Sequence, residues 1–192
     1  MKRVTLELGG KSPNRRLHDV NLGEAIPRAL AIAFLNGGQA CAAGTRLLVP
    51  RSRLEDIKQR IVAVMANMPV GDPNNNDTAV GPMVTRTHYE RVESYIRKGI
   101  EEGAEVLVGG EGHPGGLEAG NFVKPTIFVN VTNDMAIAQE EIFGAVLGVI
   151  AYDTEEEAIR IANDSRYGLH AFVSGNDLQR AHRVASQIQP DV

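Results

Sequence analysis

Leu147-Gly148-Val149-Ile150-Ala151-Tyr152-Asp153-Thr154-Glu155-Glu156-Glu157-Ala158-Ile159 joins a strand-like run, Leu147 to Tyr152, directly to a stretch with helical character. Its acidic residues crowd a first helical turn, where the macrodipole favours negative charge. Such a strand-to-helix passage is the unit of an α/β fold, and the same alternation recurs on either side. Toward the C-terminus, Ala171 to Val173 reads as a strand, and Asn176 or Asp177 opens an amphipathic helix through Leu178, Ala181, Val184, Ala185 and Ile188. Toward the N-terminus, Glu105 to Val108 reads as a strand, with extended pieces at Phe122-Val123 and Thr126 to Val129. A helix capped by Thr85 or Thr87 and ending at Gly103 turns Val92, Tyr95, Ile96 and Ile100 inward. Val70 to Val84, dense in Asn, Asp, Gly and Pro, is loop.

The first third continues the pattern. Ser52 caps a helix from about Arg53 to Met68, with Leu54, Ile57, Ile61, Val64 and Met65 on one face, and Thr45 to Val49 is a strand before it. Helical spacing at Leu22, Ile26, Leu30, Ala33 and Phe34 ends at Gly37-Gly38. With Gly23 as N-cap, Pro27 falls in the first turn, where its missing N–H costs nothing. Val4 to Leu8, stopped by Gly9-Gly10 and Pro13, reads as a buried strand. Strands alternating with helices predict a three-layer α/β fold, a mostly parallel sheet with helices on both faces. No linker divides it.

At 192 residues, with 43% hydrophobic and 23% charged content, the chain is long enough to bury one substantial core. A net charge of −4 and a pI near 5.7 argue against nucleic-acid or acidic-membrane partners. One cysteine forms no internal disulfide, which suits a reducing cytoplasm. No apolar run approaches the roughly 18 residues that span a membrane, and the start lacks an apolar signal core.

Gly110-Glu111-Gly112-His113-Pro114-Gly115 matches a dinucleotide fingerprint, but Pro114, Gly115 and Gly116 follow where a helix has to open. It reads as a solvent loop. The five histidines show no metal-ligand spacing with Cys41. Cys41 is either a small buried hydrophobe or a nucleophile on a glycine-rich turn, where backbone N–H groups can hold an oxyanion. Glu7, at the carboxyl end of the Val4–Leu8 strand, would stand where open α/β sheets build their sites. Glu140-Glu141 would ordinarily be surface charges and Phe143 core.

Five segments together resemble the aldehyde dehydrogenase superfamily. Leu6-Glu7-Leu8-Gly9-Gly10-Lys11-Ser12-Pro13 resembles its glutamate signature, and Gly38-Gln39-Ala40-Cys41 its cysteine signature. Phe122-Val123-Lys124-Pro125-Thr126-Ile127-Phe128, Gln139-Glu140-Glu141-Ile142-Phe143-Gly144 and Ala162-Asn163-Asp164-Ser165-Arg166-Tyr167-Gly168-Leu169 follow in family order. The resemblance implies oxidation of an aldehyde to a carboxylic acid with NAD or NADP. Cys41 would be the nucleophile, passing through a thiohemiacetal and a thioester, and Glu7 the base that activates water. Glu141, Phe143 and Gly9 would contact the cofactor.

Departures accompany the matches. Family members are longer, and their dinucleotide-binding half, with an asparagine that donates to the oxyanion, lies mostly before the glutamate signature. Residues 1–192 are therefore expected to be an incomplete catalytic domain without that half, truncated at both ends. Loss of one oxyanion donor costs on the order of 3 kcal/mol in other enzymes. Ala145 stands where the family usually has proline. Two other functions fit the same residues: a cofactor-free thiol esterase, and a non-catalytic remnant that pairs with a complete subunit. Homo-oligomerisation or association through an exposed sheet edge is expected.

Overall fold

The computed structural model describes residues 2–6 and 8–189. Six strands form one sheet in the order β3-β4-β5-β2-β1-β6. They are β1 (Pro13–Arg16), β2 (Arg46–Pro50), β3 (Glu105–Val108), β4 (Thr126–Val129), β5 (Val146–Tyr152) and β6 (Phe172–Ser174). All neighbours pair parallel except β3 with β4, so the antiparallel strand sits at an edge. The helices are α1 (Leu22–Ala33), α2 (Leu54–Met65), α3 (Arg86–Glu101), the single turn α4 (Ala136–Gln139), α5 (Glu155–Asn163) and α6 (Leu178–Ala185).

Side-chain alternation on β1 shows that the sheet is covered on both faces. Successive residues of a strand point to opposite sides. Arg15 reaches Glu155 on α5, 3.9 Å away, whereas the Arg16 guanidinium senses Arg28 on α1. Arg180 of α6 also binds Glu155, at 2.7 Å, which places α6 on the α5 side. The α/β architecture with helices on both faces is thus as expected. The core fills the layers with Leu47, Leu48 and Val49 of β2, Ile127 and Phe128 of β4, and Val146, Leu147 and Val149 of β5.

The N-terminal strand is not where its alternating pattern predicts it. Val4, Leu6 and Leu8 are 75%, 70% and 56% exposed and form no strand, and Glu7 lies outside the described residues. The strand is instead Pro13–Arg16, which pairs with β2 on one side and β6 on the other. Its composition is poor for a strand, and its position between two partners supplies what propensity does not. The expected place of Glu7, at the carboxyl end of a parallel strand, lies outside the described residues.

Helix α1 starts earlier than Gly23. Asn21 is the N-cap, its Oδ1 accepting from Gly23 N at 3.0 Å, so Pro27 lies inside the helix. The missing N–H frees the carbonyl of Gly23, and both residues are exposed, so water can satisfy it. Ser52 does not cap α2. Its hydroxyl meets His18 Nε2 at 2.9 Å, and α2 begins after a 3₁₀ turn at Arg51–Arg53. Thr85 caps α3, with Val92 and Ile96 buried but Ile100 exposed. Leu178, expected inward on α6, is 70% exposed. Phe122-Val123 lies outside β4. The Gly110–Gly115 loop opens no helix; Gly110 N binds Thr126 Oγ1 and Gly112 N binds Glu93.

One buried cation ties the layers together. Arg46, 1% exposed on β2, donates from Nε to the Lys11 carbonyl at 3.0 Å and from Nη2 to the Ala162 carbonyl at 2.8 Å. Its Nη1 serves the Ile161 carbonyl at 2.9 Å and Asn133 Oδ1 at 3.1 Å. Two of these acceptors are among the last carbonyls of α5, which have no intrahelical donor. Replacing Arg46 with Met strands three buried carbonyls. Guanidinium denaturation should show a loss of about 3 kcal/mol, and Arg46→Lys should recover less than half of it, because an ammonium lacks the planar fork.

Candidate active site

The candidate residues gather at the amino ends of the parallel strands. Gly9-Gly10-Lys11 leads into β1, Cys41 into β2, and Glu140–Phe143 into β5. Cys41 is an exposed free thiol, on a turn in which Ala43 N bonds the Ala40 carbonyl at 3.0 Å.

Backbone contact holds these three segments in register. A Cβ on Gly10 would collide with the Cys41 carbonyl, and one on Gly38 would collide with the Gly144 carbonyl. Gly38 also has a φ of 75°, in the left-handed region that favours glycine. The cysteine turn is thereby pressed between the glutamate-motif segment and the Glu141–Gly144 segment. Glu141 completes the link, accepting from Gly10 N through Oε1 at 2.9 Å, while its Oε2 lies against the place a Gly9 side chain would fill. Between them, Gly10, Gly38, Ala40, Thr45, Glu141 and Phe143 border a slot of about 10 Å³, room for about one water.

Helix α3 grips the Glu141–Phe143 segment from the other side. Arg91 Nη2 donates to the Glu141 carbonyl at 2.8 Å. His88 Nε2 donates to the Phe143 carbonyl at 2.6 Å, and the two rings meet edge to face with centroids 6.2 Å apart. Phe143 is held at φ 60°, an uncommon conformation outside glycine, and the residue is 39% exposed. It is therefore not core, and its ring is presented outward. Tyr95 donates to Glu140 at 2.6 Å, and Tyr167 Oη accepts from Glu141 N at 3.4 Å.

Sequence reasoning brought together Cys41, Glu141, Phe143 and Gly9, and missed His88, Arg91 and Arg46. His88 was legible only as one of five scattered histidines. A charge opening an apolar strand was the available signal for Arg46. Lys11 belongs to the glutamate signature, but the sequence assigns it no role. It is buried, and its ammonium pKa is lowered to about 7, by desolvation first and by Arg46 second, with Glu141 and Glu140 opposing.

The model of the aldehyde dehydrogenase family matches residues 1–190. The chain belongs to the aldehyde dehydrogenase family. It is 50% identical over 188 residues to a putative aldehyde dehydrogenase of Staphylococcus haemolyticus, covering 98% of this chain and 40% of that protein. A putative aldehyde dehydrogenase of Staphylococcus aureus is 48% identical over the same span. Among solved structures, aldehyde dehydrogenase C of Pseudomonas syringae, a cysteine-to-alanine mutant with NAD+ and octanal, superposes with a TM-score of 0.94 at 47% identity. That match covers 97% of this chain and 39% of the other. An aldehyde dehydrogenase of Mycobacterium tuberculosis with NAD+ gives 0.93 at 47% identity, covering 96% and 38%. The chain thus spans about 40% of the length of the relatives it matches. Among the described residues no helix is long and apolar enough to cross a membrane.

The Lys11 burial carries a pH signature. Between pH 7 and 10.5 the unfolded chain, with an ordinary lysine, holds more protons than the folded one, so this group makes stability rise with pH across that window. Lys11→Met should raise stability at pH 7 and flatten the rise, as read from urea midpoints measured between pH 6 and 10.

Proposed function

We propose that residues 1–192 are the catalytic-domain portion of an NAD(P)-dependent aldehyde dehydrogenase, with Cys41 as nucleophile and Glu7 as base. The observation that carries this reading is the exposed Cys41 thiol on a turn whose backbone is pressed against Gly10, itself held by Glu141. Family membership and the presence of NAD+ in two similar structures support it. The Phe143 ring, turned outward at φ 60°, offers an apolar surface for a nicotinamide. The half-buried Glu141 carboxylate offers an acceptor for a ribose hydroxyl, so the residues present fit that end of the cofactor. The adenosine end would be held outside the 40% of the relatives' length that this chain matches.

In this mechanism the Cys41 thiolate attacks the aldehyde carbonyl carbon, and the new oxyanion is held in part by backbone N–H at the cysteine. A nicotinamide held by Glu141 and Phe143 would supply the hydride acceptor needed to oxidise the thiohemiacetal to the thioester. Glu7 then takes a proton from water, the resulting hydroxide adds to the thioester carbonyl, and the carbon–sulfur bond breaks to release the acid and the Cys41 thiolate. His88 and Arg91 hold the Glu141–Phe143 segment on α3, keeping the outward ring in place.

An aryl ester separates the two protein-borne steps in the chain itself. Wild type should form an acyl adduct at Cys41, visible by intact mass, and Cys41→Ala should form none. Glu7→Gln should acylate but lose the acyl group about 10²-fold more slowly. The 192-residue chain by itself should form no measurable NADH from aldehyde and NAD, whereas in a protein that also carries the dinucleotide-binding half Cys41→Ala should lower aldehyde-driven NADH formation by about 10³-fold or more. Equal phenolate release by wild type and Cys41→Ala would exclude Cys41 as the nucleophile.

A further inference from the structure

Opposite the Cys41 site, at the carboxyl ends of the strands, β1 and β6 lie side by side and their chains part. β1 leads to α1 on one face of the sheet, and β6 leads to α6 on the other. Open α/β sheets form their ligand crevices at such a switch point, outside the strand carboxyl ends. A cavity of about 280 Å³ occupies this place, bordered by Arg16 of β1, Asn21, Glu24 and Arg28 around α1, and Ser174–Asn176 after β6.

The charges around it are unbalanced. Arg16 is 1% exposed, and its Nη1 donates to the Ser174 hydroxyl. Its Nε and Nη2 are buried and, among the described residues, have no hydrogen-bond partner. A buried guanidinium is costly unless charge and hydrogen bonds compensate it. Burial first, and the like charge of Arg28 second, lower the Arg16 pKa to about 10. Glu24, on the same wall, is exposed and forms no ion pair with Arg28 within 4 Å. The nearby start of α6 is already served by Asp19, whose Oδ2 accepts from Asn176 N and Asp177 N at 2.8 Å. It therefore adds nothing to the site.

We propose that this crevice is a binding site for a small oxyanion of phosphate size. The anion sits between Arg16 and Arg28, drawing the Arg16 guanidinium from the Ser174 hydroxyl toward the cavity. A planar guanidinium fork matches two oxyanion oxygens, and the incoming charge relieves the repulsion between the two arginines. The site is independent of the aldehyde chemistry at the opposite end of the sheet.

Amide NMR of the full 192-residue chain titrated with inorganic phosphate at constant ionic strength tests this. Saturable shifts confined to residues 21–28 and 173–176 are expected, with chloride producing none. Arg28→Ala, at an exposed position, should weaken binding at least fivefold, and Glu24→Gln should tighten it about twofold by removing a like charge. Arg16→Met should abolish the shifts; if it fails to fold, the Arg28 and Glu24 variants decide. Linear, unsaturated shifts, shifts spread over the basic surface, or unchanged affinity in Arg28→Ala would overturn the site.

Discussion

The buried guanidinium of Arg46 is the constraint on which the arrangement of the site rests. Its four hydrogen bonds reach the Lys11 carbonyl, the last turn of α5 and Asn133. No carboxylate lies within 4 Å of it among the described residues, so neutral acceptors offset its burial, two of them unfilled helix carbonyls concentrated at the negative end of α5. Burial still lowers its pKa, to about 10, which leaves it charged at neutral pH. By fixing the Lys11 carbonyl, Arg46 fixes the segment that carries Gly9 and Gly10, and with it the surface on which the Cys41 turn rests.

From there the site is built by close approach of backbone rather than by side-chain networks. Gly10 meets the Cys41 carbonyl, Gly38 meets the Gly144 carbonyl, and a Cβ on Gly144 would strike Val92 of α3. Such contacts leave no room for adjustment in a densely packed interior. The same rigidity holds Phe143 at a positive φ, with its carbonyl bound by His88. The resulting stage lies at the amino ends of the parallel strands, while the sheet's own switch-point crevice lies at the carboxyl ends beside Arg16.

Most elements were legible because their patterns are local. The Leu147–Ile159 passage carries an apolar run and then Thr154 with three acidic residues, and it forms β5 and α5 with Thr154 as N-cap. Thr85 and Asp177 cap α3 and α6 for the same reason. The misreadings arise where the partner decides. Val4, Leu6 and Leu8 alternate like a strand, but no neighbouring strand pairs with them among the described residues. Asn14, Arg15 and Arg16 are polar, with no local pattern that marks a strand, yet lie between β2 and β6 with less than 2% exposure. Pro27 reads as a first-turn residue, yet is tolerated inside α1 because the carbonyl it frees faces water.

The sequence by itself determined the α/β alternation, the Thr85 and Asp177 caps and the family, and it marked Cys41, Glu7, Glu141, Phe143 and Gly9 as candidate site residues, because capping, periodicity and signature motifs are written over short spans. Only the tertiary structure decided which strand lies beside β2 and β6, and at which end of the sheet the cysteine turn stands. It also decided which charges are buried: Lys11 and Arg46 beneath the site, Arg16 facing the opposite crevice. These depend on strand order and on contacts between residues 35 to more than 100 positions apart, and no local pattern encodes such distances.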